Sequence, residues 1–272
     1  MDKKPNMLST VAPWDAVAEG YAETTMKFFQ GYVDRAMELA AVTGECSVLD
    51  VACGPGTLSM GVAHRVATVH AIDFSESMIE IFRKTVEDRG IDNIKIRCGN
   101  AQELPFDDER FDAAFSMFGL MFFLDRQRAY SEIMRVLKPG GKIIMSSWAP
   151  VSQSPAMQAM FGAVKTINPD LPEPQADVES LENPEFFKGE LEGAGFKDVE
   201  IHPFTIDFPV NSIEEFWSTM VRGSAPLVVL KNGMPEEQWR EKEREAIKYL
   251  DKTIKDVPTS LSSDAWLGRG VK

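Results

Sequence analysis

Histidine is scarce in this chain: there are three in 272 residues, at positions 64, 70 and 202. A histidine-built metal centre has almost no material to draw on, and no metal site is expected. Cysteine is as rare. Cys46, Cys53 and Cys98 are too few and too scattered for a disulfide framework or a paired zinc or redox motif. They read as small buried side chains in a reducing, cytoplasmic setting. Long apolar runs are missing too. The longest, "AAFSMFGLMFFL" at 113–124, has about half the length a bilayer crossing needs, so no membrane insertion is expected. The start, "MDKKPNMLSTVAPWDAV", has two lysines with no apolar stretch behind them, unlike a signal peptide. Positive charge is in deficit: 29 Lys and Arg against 42 Asp and Glu give a formal net charge of −13. That balance speaks against nucleic acid or an anionic membrane as the partner.

What is present suits a globular core, with 44% hydrophobic and 26% charged residues. Residues 47–148 alternate between two kinds of segment. "SVLDVA", "TVHAID", "NIKIRCG", "FDAAFSM" and "KIIMSSW" read as strands. Between them lie helical patterns: a short one at 58–63, one capped by Ser75 with Ile79, Phe82 and Val86 on one face, and one carrying Tyr130, Ile133, Met134 and Leu137. "KPGG" reads as the turn into the fifth strand. Strands without polar alternation, separated by helices, predict an α/β fold with a doubly wound, parallel, Rossmann-like sheet covered on both faces.

Beyond that core, Met157, Met160, Phe161 and Val164 predict a helix, and "NPDLPEPQ" at 168–175 an extended, proline-broken stretch. "PEFFKGELEGAG" predicts a short helix closed by Gly195, leading into the strand "KDVEIHPF". Ser212 and Glu215 form a capping box before Phe216, Trp217 and Met220. A further helix starts near Pro235, and "DAWLGRGV" reads as a last strand. The expected organisation is an N-terminal helical lid at 1–45, a core at 46–203, a helical substrate-cover insertion at 204–258 and a final core strand at 259–272.

The most informative stretch is "SVLDVACGPGTLSMG" at 47–61. No lysine-serine or lysine-threonine pair follows Gly56, which excludes a phosphate-binding loop. Ser59 stands where a dinucleotide turn wants its third glycine. Asp50, four residues before Gly54, would repel a pyrophosphate and favour a cationic ligand. Seventeen residues after Gly56, Asp73 closes the second strand, where an acid accepts ribose hydroxyls. An adenosine cofactor that carries positive charge and no pyrophosphate fits this combination, and S-adenosyl-L-methionine is such a molecule.

These segments resemble the class I S-adenosylmethionine-dependent methyltransferases, in particular the broad group of ubiquinone/menaquinone-biosynthesis and related small-molecule methyltransferases. "VLDVACGPG" is similar to the family's first motif and "AIDFSESMI" to its acidic second-strand motif. "GNAQELPFDDERFDAAFSMFGL" and "EIMRVLKPGGKIIM" are similar to the later motifs, so the likeness covers about residues 45–145. The resemblance implies a seven-stranded sheet, mostly parallel, with a terminal antiparallel strand. It also implies cofactor contacts. Asp50, Ala52, Gly54 and Gly56 would meet the methionine part and Asp73 the ribose. Phe74, Met78, Asn100, Ala101 and Gln102 would surround the adenine, with the Asn100 amide oxygen accepting from it. Ser116 and Met117 would border the sulfonium, and Tyr21 would close the site.

Material for catalysis is thin. Tyr21 and His202 are the candidate catalytic side chains, His202 being the histidine nearest the end of a late strand. The apolar helical faces of the insertion suggest a cover for an aromatic or lipid-like acceptor. The expected activity is methyl transfer to an oxygen, nitrogen or carbon of a small, apolar or aromatic metabolite, by a monomer or homodimer. Action on tRNA or protein, and a non-catalytic cofactor-binding role, are the alternatives.

Overall fold

The computed structural model describes residues 7–171 and 180–272. Seven strands, β1 (Ser47–Val51), β2 (Thr68–Asp73), β3 (Ile94–Cys98), β4 (Phe111–Met117), β5 (Leu137–Trp148), β6 (Lys197–Val210) and β7 (Thr259–Val271), form one sheet. Their order is β3-β2-β1-β4-β5-β7-β6. Strands β1 to β5 pair in parallel, and β7 is antiparallel to both β5 and β6. This is the mostly parallel sheet with one antiparallel terminal strand that the sequence led us to expect.

Both faces of the central strands are buried, which is why they carry no polar alternation. Val48 and Val69 face a layer made of α2 (Gln30–Ala40), α3 (Thr57–Val62) and α4 (Glu76–Asp88), which contribute Tyr32, Leu58 and Phe82. Leu49 and Ile72 face the opposite layer, α5 (Arg126–Val136) and α7 (Pro184–Gly193), with Tyr130, Ile133 and Phe187. Helix starts follow the sequence. The Ser75 side chain accepts from Met78 N at 3.2 Å, and Ser212 from Glu215 N at 3.1 Å.

The remaining helices lie beyond this sandwich: α1 (Ala12–Thr24), α6 (Pro155–Ile167), α8 (Ile213–Gly223), α9 (Ala225–Asn232) and α10 (Glu236–Thr253). Parts of α6, α8 and α10 share a hydrophobic cluster around Trp217 and Trp239, whose rings stack at 6.3 Å. Trp217 also donates to Glu243 Oε1 at 3.1 Å. α1 packs on α4, α8 and α9, so it bridges the core and the late helices.

Three details depart from the sequence reading. β6 continues to Val210 and pairs with β7 as far as Thr259, so it occupies residues assigned to the helical insertion. Pro203 and Pro209 interrupt the strand pattern, and they are tolerated because β6 is an edge strand. "KPGG" lies inside β5 as a register shift rather than ahead of it. α9, "APLVVLKN", was not expected as a helix at all. The proline-broken stretch expected at 168–175 lies outside the described residues from 172 onward.

Candidate functional site

Strand order reverses between β1 and β4, whose carboxyl ends therefore splay apart into a crevice. Backbone strain marks the two ends. Ala52 just after β1 has φ of 56° and Phe118 just after β4 has φ of 58°, in the region that side chains rarely adopt. The glycine turn follows β1 with Gly54 at φ 53° and Gly56 at φ 89°. A Cβ on Gly56 would lie 2.1 Å from the Phe82 ring, so this position needs glycine both for conformation and for space. A cavity of about 460 Å³ opens above these strand ends.

Two acids face it. Asp50 is 1% exposed. Its Oδ2 accepts from Ser59 Oγ at 2.6 Å and Ser59 N at 3.2 Å, and its Oδ1 takes no hydrogen bond. Burial pushes its pKa up to about 7 in spite of the Ser59 hydrogen bonds, and the nearby Asp73 charge adds to the rise. Asp73 is buried as well. Its Oδ2 accepts from Gly54 N at 2.8 Å and its Oδ1 from Ser75 N at 2.9 Å, which leaves lone pairs on both oxygens. Burial raises this carboxyl too, against the lowering effect of those amides.

Among the described residues, no lysine, arginine, histidine or glutamate lines the cavity. Two uncompensated buried carboxylates are costly unless a ligand supplies the missing cation and hydroxyls. That donor set fits a cationic aminoacyl group beside Asp50 and a ribose diol beside Asp73. It would repel a pyrophosphate.

The cavity wall brings together most of the residues singled out in the sequence. Tyr21, Asp50, Ala52, Gly54, Asp73, Phe74, Met78, Asn100, Ala101, Gln102 and Met117 all line it. Four differ from expectation. Gly56 shapes the turn from beneath, against Phe82, and does not line the cavity. Ser116 is fully buried below Gly119, and its Oγ has no hydrogen-bond partner. The Asn100 amide oxygen already accepts from Gln102 N at 2.9 Å, which leaves it one lone pair for a ligand. His202 does not line the cavity. It sits on edge strand β6, paired with Glu200 at 3.0 Å, because period-two alternation puts residues 200 and 202 on one outer face.

Tyr21 is not built to be a base. Burial, and then the charge of Asp73, push its phenol well above the ordinary value, so it keeps its proton. The Cys53 thiol in the wall is likewise driven up, by burial and then by both acids.

Sequence reading missed the aromatic side of the cavity. Phe118 stacks on Trp148 at 4.1 Å and on Phe29 at 5.0 Å, and Tyr32 meets it edge-on at 5.0 Å. The Phe118 N–H is held by Ser146 Oγ at 3.0 Å, and the Tyr32 hydroxyl donates to Ser263 O at 2.9 Å. These residues come from α2, β5, β7 and two loops. The local signal was the aromatic-rich run after β4, but nothing in it names its partners. The role of Ser59 in fixing Asp50 was missed for the same reason.

Comparison with known proteins places this geometry. A model of the methyltransferase domain matches residues 48–141. The demethylmenaquinone methyltransferase of Clavibacter sepedonicus is 36% identical over 154 residues, which are 55% of this chain and 61% of that protein. The Bacillus subtilis enzyme of the same name is 31% identical over 189 residues, 63% of this chain and 80% of that protein. The match thus spans less than two thirds of the first relative and four fifths of the second. Among solved structures, the YcgJ protein of Bacillus subtilis superposes with a TM-score of 0.57 at 18% identity, covering 88% of this chain and 97% of that one. At that identity the likeness is one of fold.

Proposed function

The chain belongs to the S-adenosylmethionine-dependent methyltransferases, and from that premise we propose that it methylates an oxygen, nitrogen or carbon of a small, apolar or aromatic metabolite. The observation that carries this reading is the pairing of two uncompensated buried carboxylates with an aromatic wall in one cavity. When bound, the cofactor supplies a methyl group on a sulfonium, open to in-line displacement.

The chain's own residues do the rest. Asp50, held by Ser59, takes the cationic aminoacyl group. Asp73, oriented by Gly54 N and Ser75 N, accepts the ribose hydroxyls. Phe29, Phe118 and Trp148 offer flat apolar surface to the acceptor and keep water away from it. Holding two reactants in line can by itself supply a large part of the rate. With no histidine or lysine in the described wall and a protonated Tyr21, deprotonation is left to the acceptor's own acidity. Phenols, enols, carboxylic acids and amines meet that condition. Charge and shape do not favour a macromolecular acceptor: the chain carries −13, and the wall beside the cofactor end is apolar.

A methyl-transfer screen over phenols, hydroquinones, carboxylic acids and amines, with products identified by mass, tests the proposal. Methylation of an aromatic or apolar member is the expected result. Transfer to tRNA or protein, with none to any small molecule, would overturn it.

Tyr21→Phe is expected to weaken cofactor affinity about threefold through loss of one hydroxyl donor. Its kcat should fall far less than the roughly 10²–10⁴ that removal of a general base costs. Steady-state kinetics over pH 6 to 9 separate the two, and a hundredfold drop in kcat would restore the phenol as a catalytic group.

A further inference from the structure

α1 covers the cavity from the side where β2 runs into α4, with Trp14 and Tyr21 both in the wall. Its apolar hold runs along one face, where Trp14 and Tyr21 pack beside Val17 and Ala18. Val17 and Ala18 cluster with Met78 of α4 and Ala225 of α9. At the far end, Gly20 crosses α8 so closely that a Cβ there would lie 2.1 Å from the Arg222 carbonyl oxygen.

Its polar hold on the core is concentrated in Asp15. Asp15 Oδ1 accepts from Ser75 Oγ at 2.6 Å and from Ser77 N at 3.4 Å. Among the described residues these are the hydrogen bonds that join α1 to β2 and α4. Ser75 is fully buried, and each of its groups is committed. Its hydroxyl proton goes to Asp15, its Oγ accepts from Met78 N, and its N–H donates to Asp73 Oδ1. Asp73 in turn reaches Gly54 N through Oδ2. One hydrogen-bonded path therefore runs from the covering helix through Ser75 and Asp73 into the glycine turn.

Asp15 is half-buried in the first turn of α1. Its charge adds to the rise in the Asp73 carboxyl, whose main cause is burial. It also has no cationic partner among the described residues. The compensations are a charge-assisted hydrogen bond and the positive end of α4, whose first N–H groups it faces.

We propose that Asp15 is a positioning residue that latches α1 shut over the cofactor end of the cavity, acting through Ser75 on Asp73. The proposal rests on the cofactor reading given above. The latch holds Tyr21 and Trp14 against the bound cofactor and fixes the carboxylate that receives the ribose. Breaking it loosens the N-terminal turns of the helix and shortens the time the cofactor stays bound.

The test uses the full chain and S-adenosylhomocysteine, the demethylated form of the cofactor, as probe. Equilibrium binding is measured by calorimetry and backbone exchange of residues 12–24 by mass spectrometry, with and without the probe. Asp15→Ala should weaken binding about tenfold, the scale of one charge-assisted hydrogen bond, and α1 should gain no protection on binding. Asp15→Asn keeps an oxygen that accepts from Ser75, so it should recover to within about threefold of the parent. Ser75→Ala, which also removes the cap of α4, should lose at least as much as Asp15→Ala, and the double variant should lose no more than Ser75→Ala alone. Should Asp15→Ala fail to fold, Ser75→Ala and Asp15→Asn carry the same comparison. Binding by Asp15→Ala within twofold of the parent overturns the latch. So do additive losses in the double variant and a failure of Asp15→Asn to recover. If the parent chain does not bind the probe at all, the cofactor reading falls, and the latch with it.

Discussion

Asp50→Asn is expected to cut S-adenosylmethionine affinity about hundredfold at pH 8 while making the ligand-free protein more stable. The two effects have one cause. Asp50 is 1% exposed, its free oxygen faces the cavity, and no cation in the described wall balances it. When a cationic ligand arrives, the carboxylate gains a buried partner, and removing one member of such a pair costs about 3 kcal/mol or more. Without ligand, the same charge is a burden. The carboxyl moves from 3.8 in the unfolded chain to about 7 in the fold. Over that window the fold holds a proton that the unfolded chain has released. The stabilising contribution is full below pH 3.8 and is lost as pH rises through 7. At pH 8 the neutral asparagine should therefore raise the unfolding free energy of the empty protein by about 1–3 kcal/mol.

The same linkage shapes binding. In the parent protein, affinity should fall about tenfold for each pH unit below 7, because the carboxyl must lose a proton before it can pair with the cation. In Asp50→Asn that slope should vanish. Titration calorimetry from pH 5 to 8 and thermal melts at pH 8 read both halves. A variant that binds as tightly as the parent, with the parent's pH slope, would remove Asp50 from the site.

Gly56→Ala should destabilise the fold by about 3–5 kcal/mol. At φ 89° any side chain costs roughly 1–2 kcal/mol. The added Cβ would also sit 2.1 Å from the Phe82 ring. Phe82 is fully buried between α3, α4 and the sheet, so its ring has no free space to retreat into. The melting temperature should drop by about 10 °C, at roughly 2–4 °C per kcal/mol for a chain of this size. Gly140→Ala is the matched control. Its φ is 76°, but nothing lies within 4 Å of the new Cβ, so only the backbone cost of about 1 kcal/mol applies. Equal losses in the two variants would mean that Phe82 yields and the turn is not held as described.

Legibility in the sequence followed the range of the interactions. β2 and β4 could be bounded residue by residue, because runs such as "TVHAID" and "FDAAFSM" are buried on both faces and end in turns. α9 escaped because its eight residues are too few to display a helical period. β6 was cut short because two prolines imitate a chain break, and only its edge position makes them harmless. In the site, Asp50 and Asp73 were legible from their distance to the glycines. Asp15, Ser59 and Phe118 were not. Each acts through partners 9 to 89 residues away in sequence, such as Asp50 for Ser59, Ser75 for Asp15 and Phe29 for Phe118. His202 shows the opposite error. Its residue type drew attention, while the alternation of side chains along β6 sets it beside Glu200.

Parallel titrations of the full chain with S-adenosylmethionine and NAD⁺ at pH 8 test whether the crevice between β1 and β4 holds a cationic adenosine cofactor. Saturable one-site binding of S-adenosylmethionine is expected, with Kd on the order of 1–100 µM, and none of NAD⁺. Failure to bind S-adenosylmethionine up to about 1 mM, or preferential binding of NAD⁺, would contradict it.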